Sequence, residues 1–173
     1  MNLIITCARH LEPETEQEIR NILEEMGDLE PIITITNMSG ILTARTTLEP
    51  VEVVRRIREK IMDEPWSIRY CLRIIPIQKI VGTDIDIIEK EISGMVDLIS
   101  EGESYRISIE KRNSDILSQD LISRIAKNIK NRVSLEFPDK IVLIEILGNK
   151  TGLAVVRRSD ILSVEKTKRT MSE

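Results

Sequence analysis

The sequence predicts an α+β protein made of two small units, and three observations carry that prediction. Apolar runs rich in Ile, Leu and Val recur between stretches whose apolar residues fall at i, i+3, i+4 and i+7, so strands and helices interleave along the chain. The interleaving follows the order strand, helix, strand, strand, helix, strand to about residue 78 and then restarts with a helix. Charge divides the chain as well. Residues 1–104 hold eleven Lys/Arg against twenty Asp/Glu, a net of −9, whereas residues 105–158 hold eleven against six, a net of +5.

Taken in order, residues 2–8 (NLIITCA) read as a strand. Pro13 sits at a first-turn position of a helix that points Ile19, Ile22, Leu23 and Met26 inward, and Gly27 stops it. Residues 31–36 and 41–46 are strands around the turn Asn37-Met38-Ser39-Gly40. A second helix starts near Pro50 with Val51, Val54, Ile57 and Ile61 inward, and Pro65 ends it before a strand over 67–76. The resulting β-α-β-β-α-β order is the ferredoxin-like arrangement, expected over residues 1–78. Residues 77–82 read as a connector, and Thr83 with Asp86 has the spacing of a capping box. The helix that follows buries Ile85, Ile88, Ile92, Met95, Val96 and Ile99.

The remainder supplies the candidate site. Tyr105, Ile107 and Ile109 alternate along a strand. A helix over 118–133 carries Leu121, Ile122, Ile125, Ala126, Ile129 and Val133 on its apolar face, and Ile141–Leu147 forms the next strand. Two strands joined by a helix lie parallel, so both end at the same side of the sheet, where ligands usually sit in such units. Those ends carry Lys111, Arg112 and Asn113, and the hairpin turn with Asn149 and Lys150. The helix starts at the same edge, with Ser118 as the expected cap and backbone N–H groups available to an oxyanion. Arg124, Lys127 and Lys130 make its outer face basic, and Arg157 and Arg158 close the final strand run LAVVRR. The functional reading of these cations is a phosphate-backbone site, and the bland one is a solvated helix face. The second domain is expected over 79–165, followed by a polar, frayed tail at 166–173.

Chemistry finds little footing. His10 is the only histidine, Asp84 and Asp86 sit where helix starts favour acids, and the Lys150-Thr151 pair lacks the glycine spacing of a phosphate-binding loop. Cys7 and Cys71 lie in expected strands without a paired CxxC spacing and read as buried free thiols. No cofactor motif is found, and no apolar run approaches the roughly 20 residues of a membrane helix, so a cytoplasmic, non-catalytic protein is expected. With four aromatic residues in the chain, an RNA partner would be held by phosphates and shape rather than by stacked bases.

The run SYRISIEKRNS, the helix SQDLISRIAKNIKNRV and the strand run PDKIVLIEILGNKTGLAVVR resemble a THUMP domain, an RNA-binding module of tRNA-modifying proteins. The preceding PWSIRYCLRIIPIQKIVGTDIDIIEKEI is similar to the region that joins a ferredoxin-like domain to THUMP in the stand-alone tRNA cytidine acetylation adaptor family. The resemblance covers about residues 2–165. It implies a protein without a catalytic domain that binds tRNA and assists a separate tRNA acetyltransferase in making N4-acetylcytidine. It carries Lys111 and Arg112 of EKRN, with Lys150 and Arg157, into the RNA site, and Asn113 departs from the histidine it implies there. The alternatives are a tRNA-binding subunit for another modification, or a ferredoxin-like regulatory protein that binds a small ligand and no RNA.

Overall fold

The structure is a computed structural model that describes residues 1–172. It divides into two units, one formed by Met1–Ile77 with the segment from Ser159 onward, the other by Gln78–Arg158. Each is mixed α and β with its own sheet. No helix of the described residues is long and apolar enough to cross a membrane.

In the first unit, β1 (Leu3–Cys7), α1 (Glu12–Glu25), β2 (Ile32–Ile35), β3 (Ile41–Arg45), α2 (Pro50–Asp63) and β4 (Cys71–Pro76) follow the expected order. All strand pairs are antiparallel, in the sheet order β2-β3-β1-β4. Alternation along β1 sends Leu3, Ile5 and Cys7 into a core with Ile19 and Leu23 of α1 and Val54, Ile57 and Ile61 of α2. Val53 is buried in α2 where Val51 was expected, because one helical turn brings 53, 54, 57 and 61 onto one face. Gly40, at φ +75°, closes the β2–β3 turn so tightly that a Cβ there would stand 2.6 Å from the Cys7 carbonyl oxygen. Cys7 and Cys71 face each other on β1 and β4 as buried free thiols, and burial pushes both thiol pKa values up.

The segment after Ser159 departs from the expected boundary. β9 (Leu162–Ser163) pairs with β4 at the sheet edge, and α5 (Val164–Thr170) follows where a frayed tail was expected. Three local features fix it: Leu162 and Val164 are buried in the first core, Ser163 caps α5 by accepting from Lys166 N, and Lys168 Nζ donates to Ile68 O at 2.8 Å. Residue 173 of the expected tail lies outside the described residues.

The second unit contains β5 (Lys79–Gly82), α3 (Ile85–Ser93), β6 (Tyr105–Arg112), α4 (Ser118–Ala126), β7 (Lys140–Leu147) and β8 (Lys150–Val156), in the sheet order β5-β8-β7-β6. β6 and β7 are parallel, as the strand-helix-strand reading requires, and β7–β8 is the expected hairpin. The expected connector at 77–82 instead contributes β5, an edge strand on β8, too short and too exposed to show a period in sequence. Ile88 and Ile92 of α3 and Leu121 and Ile125 of α4 pack with Val142, Ile144, Ile146, Leu153 and Val155 of the sheet.

Candidate nucleic-acid interface

Strand register sets the edge. Arg112 pairs with Leu147, Leu147 with Lys150, and Lys150 with Gly82, so the ends of four strands form one row. At two strand spacings, the Arg112 and Lys150 backbones lie about 10 Å apart. The Gly148-Asn149 turn is anchored on both sides, Gly148 N donating to Arg112 O at 2.8 Å and Thr83 N to Asn149 O at 3.0 Å. Gly148 has φ +62°, the left-handed conformation that a two-residue hairpin loop needs at its first position. Lys150 projects from this braced turn and is exposed. Asn113, exposed at φ +56°, turns the chain out of β6.

The cations of this edge are not equivalent. Arg112 Nη1 donates to Glu145 Oε2 at 3.1 Å, and the Glu145 side chain is only 1% exposed. Arg112 is thus one partner of a buried carboxylate, and removing a partner from a buried ion pair is costly. Lys111 Nζ donates to Ile116 O at 2.8 Å, tying down the loop into α4 while its charge stays exposed.

Two helix starts meet this edge. Asp84, rather than a Thr83/Asp86 box, caps α3 by accepting from Asp86 N and Ile87 N, while Thr83 Oγ1 shares a 2.8 Å hydrogen bond with Thr151 Oγ1. Ser118 does not cap α4. It is the first helical residue, Leu117 occupies the cap position, and no side chain accepts from the first-turn N–H groups. The helix starts one residue earlier than a Ser118 cap would have it. That leaves those donors open, with Asp120 in the same turn as a competing negative charge.

On the outer face of α4, Arg124 pairs with Asp86 and Glu89 of α3, which hold its pKa above the ordinary guanidinium value. Lys127 and Lys130 are exposed and make no ion pair among the described residues. They lie past the end of α4, because the helix stops at Ala126 instead of running to residue 133. Asn131 Nδ2 donates to Ser100 O and Glu103 O at 2.9 and 3.0 Å, drawing the chain out of helical geometry.

Arg157 and Arg158 belong to neither group. They follow β8 at its far end, about 23 Å along the strand from Lys150 at the usual rise. Arg158 Nη2 donates to Glu136 O at 3.2 Å, and Arg157 Nη2 lies 3.5 Å from Glu103 Oε2. The Glu103 carboxyl sits below its ordinary pKa, chiefly through the Ser100 N–H and then through Lys140. The candidate cations thus fall into three places, and only Lys111, Arg112 and Lys150 share the predicted edge.

Residues 82–156 match the THUMP domain family. The second unit carries a THUMP domain. An uncharacterized protein of Methanocaldococcus jannaschii is 26% identical over 160 residues, covering 90% of this chain and 41% of its own length. One of Schizosaccharomyces pombe is 24% identical over 162 residues, covering 88% and 56%. Among solved structures, PH1313 from Pyrococcus horikoshii superposes with a TM-score of 0.63 at 15% identity, over 91% of this chain and 55% of that one. TrmN from Thermus thermophilus gives 0.56 at 10%, over 90% and 45%. A 4-thiouridine synthetase crystallised with RNA and ATP gives 0.55 at 14%, over 91% and 42%. At these identities the likeness to solved structures is one of fold, and this chain spans about half the length of its relatives.

The THUMP domain also holds a feature that sequence reasoning missed. The segment after α4 exposes Val133 (53%), Leu135 (72%) and Phe137 (74%). Two arginines fix it by donating to its carbonyls, Arg106 to Leu135 O and Arg158 to Glu136 O, and Val133 makes a single parallel bridge to Tyr105. Val133, expected on the apolar face of the helix, lies outside it, and the run SLEFP, with alternating apolar residues before a proline, is the signal in the sequence that the chain has left the helix.

Proposed function

We propose that this protein is a non-catalytic accessory factor that binds tRNA through its THUMP domain and presents it to a separate acetyltransferase for N4-acetylcytidine formation in the cytoplasm. The observation that carries the reading is the THUMP match over residues 82–156, whose later part overlaps the basic stretch of the chain, a net of +5 over residues 105–158 within a protein of net −4. A phosphate backbone is attracted to the basic stretch, although the acids of residues 84–103 bring the whole unit Gln78–Arg158 to a net charge of zero. The same sheet edge carries the exposed charges of Lys150 and Lys111, and the uncapped first turn of α4 adds oriented N–H groups, the chemistry that grips a phosphate oxygen. The β-α-β-β-α-β order, with β1 between β3 and β4, supports reading the first unit as ferredoxin-like. The printed names of structural neighbours, a 4-thiouridine synthetase with RNA among them, favour a second reading in which the same tRNA-binding role serves a different modification.

Mass spectrometry of tRNA nucleosides distinguishes them. Purified protein with tRNA and acetyl-CoA is expected to yield no N4-acetylcytidine, and addition of a tRNA acetyltransferase is expected to yield it at a rate that depends on this protein. Acetylation by the isolated chain would overturn the accessory role. Loss of a different modified nucleoside from cells lacking the protein would move it to the second reading.

A further inference from the structure

The first unit has a groove of about 590 Å³ between α1, the end of α2 and the turn at Pro65–Ser67. Its lining combines two features. One is aromatic: Trp66, the sole tryptophan, is 70% exposed, with Tyr70 beside it in the same lining. A large apolar ring left in water contributes little to folding and is free to pack against a ligand. The other feature is charge, since Glu14, Glu18, Glu25 and Glu64 face a single lysine, Lys60.

The carboxylates are used unequally. Glu18 accepts from the backbone N–H groups of Arg69 at 2.7 Å, Tyr70 at 3.2 Å and Cys71 at 2.8 Å, so it builds the wall that bears the aromatics and leaves its negative charge in the groove. Glu25 is matched by Lys60 at 2.7 Å. Glu14 and Glu64 are exposed and make no ion pair among the described residues. In the same wall, Ser67 Oγ is buried without a hydrogen-bond partner, alone in this among the described side-chain polar atoms. An RNA backbone is repelled by this surface. A lysine or arginine side chain fits it, with its aliphatic stem on the Trp66 indole and its cation shared between ring and carboxylates.

We propose that this groove is a docking site for a Lys/Arg-rich peptide segment of a partner protein, held by Trp66, Glu14 and Glu64. The first unit then recruits protein while the THUMP domain is left for nucleic acid. The inference does not depend on which modification the partner performs.

The probe is a fluorescein-labelled hepta-arginine peptide, with a Gly/Ser peptide of equal length as control, titrated into the full chain. Trp66 emission reports occupancy directly, because no other tryptophan is present. The arginine peptide is expected to bind and shift that emission, and the neutral one to do neither. Glu14→Gln with Glu64→Gln should weaken binding by about tenfold or more, the scale of two charged contacts. Glu24→Gln with Glu30→Gln removes the same charge from exposed positions outside the groove lining and should change binding less than about twofold in moderate salt. Trp66→Leu, read by peptide anisotropy, should also weaken it. Equal losses from both Glu pairs, or binding without a Trp66 response, would overturn the proposal in favour of diffuse attraction. Sedimentation that showed a second copy of this chain occupying the groove would overturn it too. Binding of tRNA to the groove variant is measured in parallel and should be unchanged, so failure here stays distinguishable from failure of the tRNA reading.

Discussion

The sheet edge and the outer side of α4 with the segment just after it both present three cations, but they commit them differently. At the edge, one arginine is locked to a buried carboxylate, while Lys111, tied to the loop into the uncapped start of α4, and Lys150, two strands away, keep exposed charges. On the helix face, Arg124 bridges two surface acids of α3, and Lys127 and Lys130 stand apart from any backbone donor array. In both places the arginine is committed to carboxylates while the lysine charges stay exposed, Lys111 being held by its bond to Ile116 O, consistent with a planar guanidinium pairing well in partly buried sites. The edge differs in offering its lysines alongside oriented N–H groups.

The largest effect should come from Arg112. Arg112→Met leaves Glu145 without its arginine and is expected to cost about 3 kcal/mol of stability in urea unfolding. Glu145→Gln added to that variant should recover most of the loss. A cost below about 0.5 kcal/mol would mean that Arg112 is a surface cation like any other and erase its distinction from the lysines.

Asp28 sharpens the point, being a buried carboxylate that makes no ion pair among the described residues. Burial alone would raise its pKa, but donation from Thr46 Oγ1 at 2.7 Å, Thr47 N and Glu30 N outweighs burial and holds it below the ordinary aspartate value. A depressed folded pKa contributes stability that is present above the unfolded aspartate pKa and lost as pH falls through the folded value. Thr46→Val should cost about 1 to 3 kcal/mol at neutral pH. Asp28→Asn should flatten the acid limb of a stability-against-pH curve, and an unchanged limb would contradict this account of the site.

The smallest effect belongs to Arg124. Arg124→Gln should lower stability only slightly at low salt, and by less as salt is added, because its partners are exposed. A salt-independent loss comparable to that of Arg112→Met would make the two regions alike.

Much of this contrast was legible in the sequence and part was not. Period and punctuation were enough for α1, α2, the β2–β3 turn and the parallel β6–β7 pair, because each buries a regular apolar pattern between Pro or Gly stops. β5 and β9 escaped because edge strands of four and two residues gain their order from a partner far along the chain. α4 was drawn too long because Ile129 continues its apolar period while Asn131 side-chain bonds divert the backbone. At the site, topology placed Lys111, Arg112 and Lys150 together from sequence alone. The pairing of Arg112 with Glu145 stayed hidden, since it joins residues 33 apart and nothing local marks Glu145 as buried.

The most direct measurement is tRNA affinity across a salt series for two variants that each remove two charges, Lys111→Ala with Lys150→Ala at the edge and Lys127→Ala with Lys130→Ala beyond α4. The edge pair should weaken binding by on the order of 1–3 kcal/mol. It should also flatten the log-log salt slope by about 0.7–0.9 for each lysine. The helix pair should change affinity by less than about threefold. A larger loss from Lys127 and Lys130 than from Lys111 and Lys150 would contradict the assignment of the edge and place the RNA on the helix face.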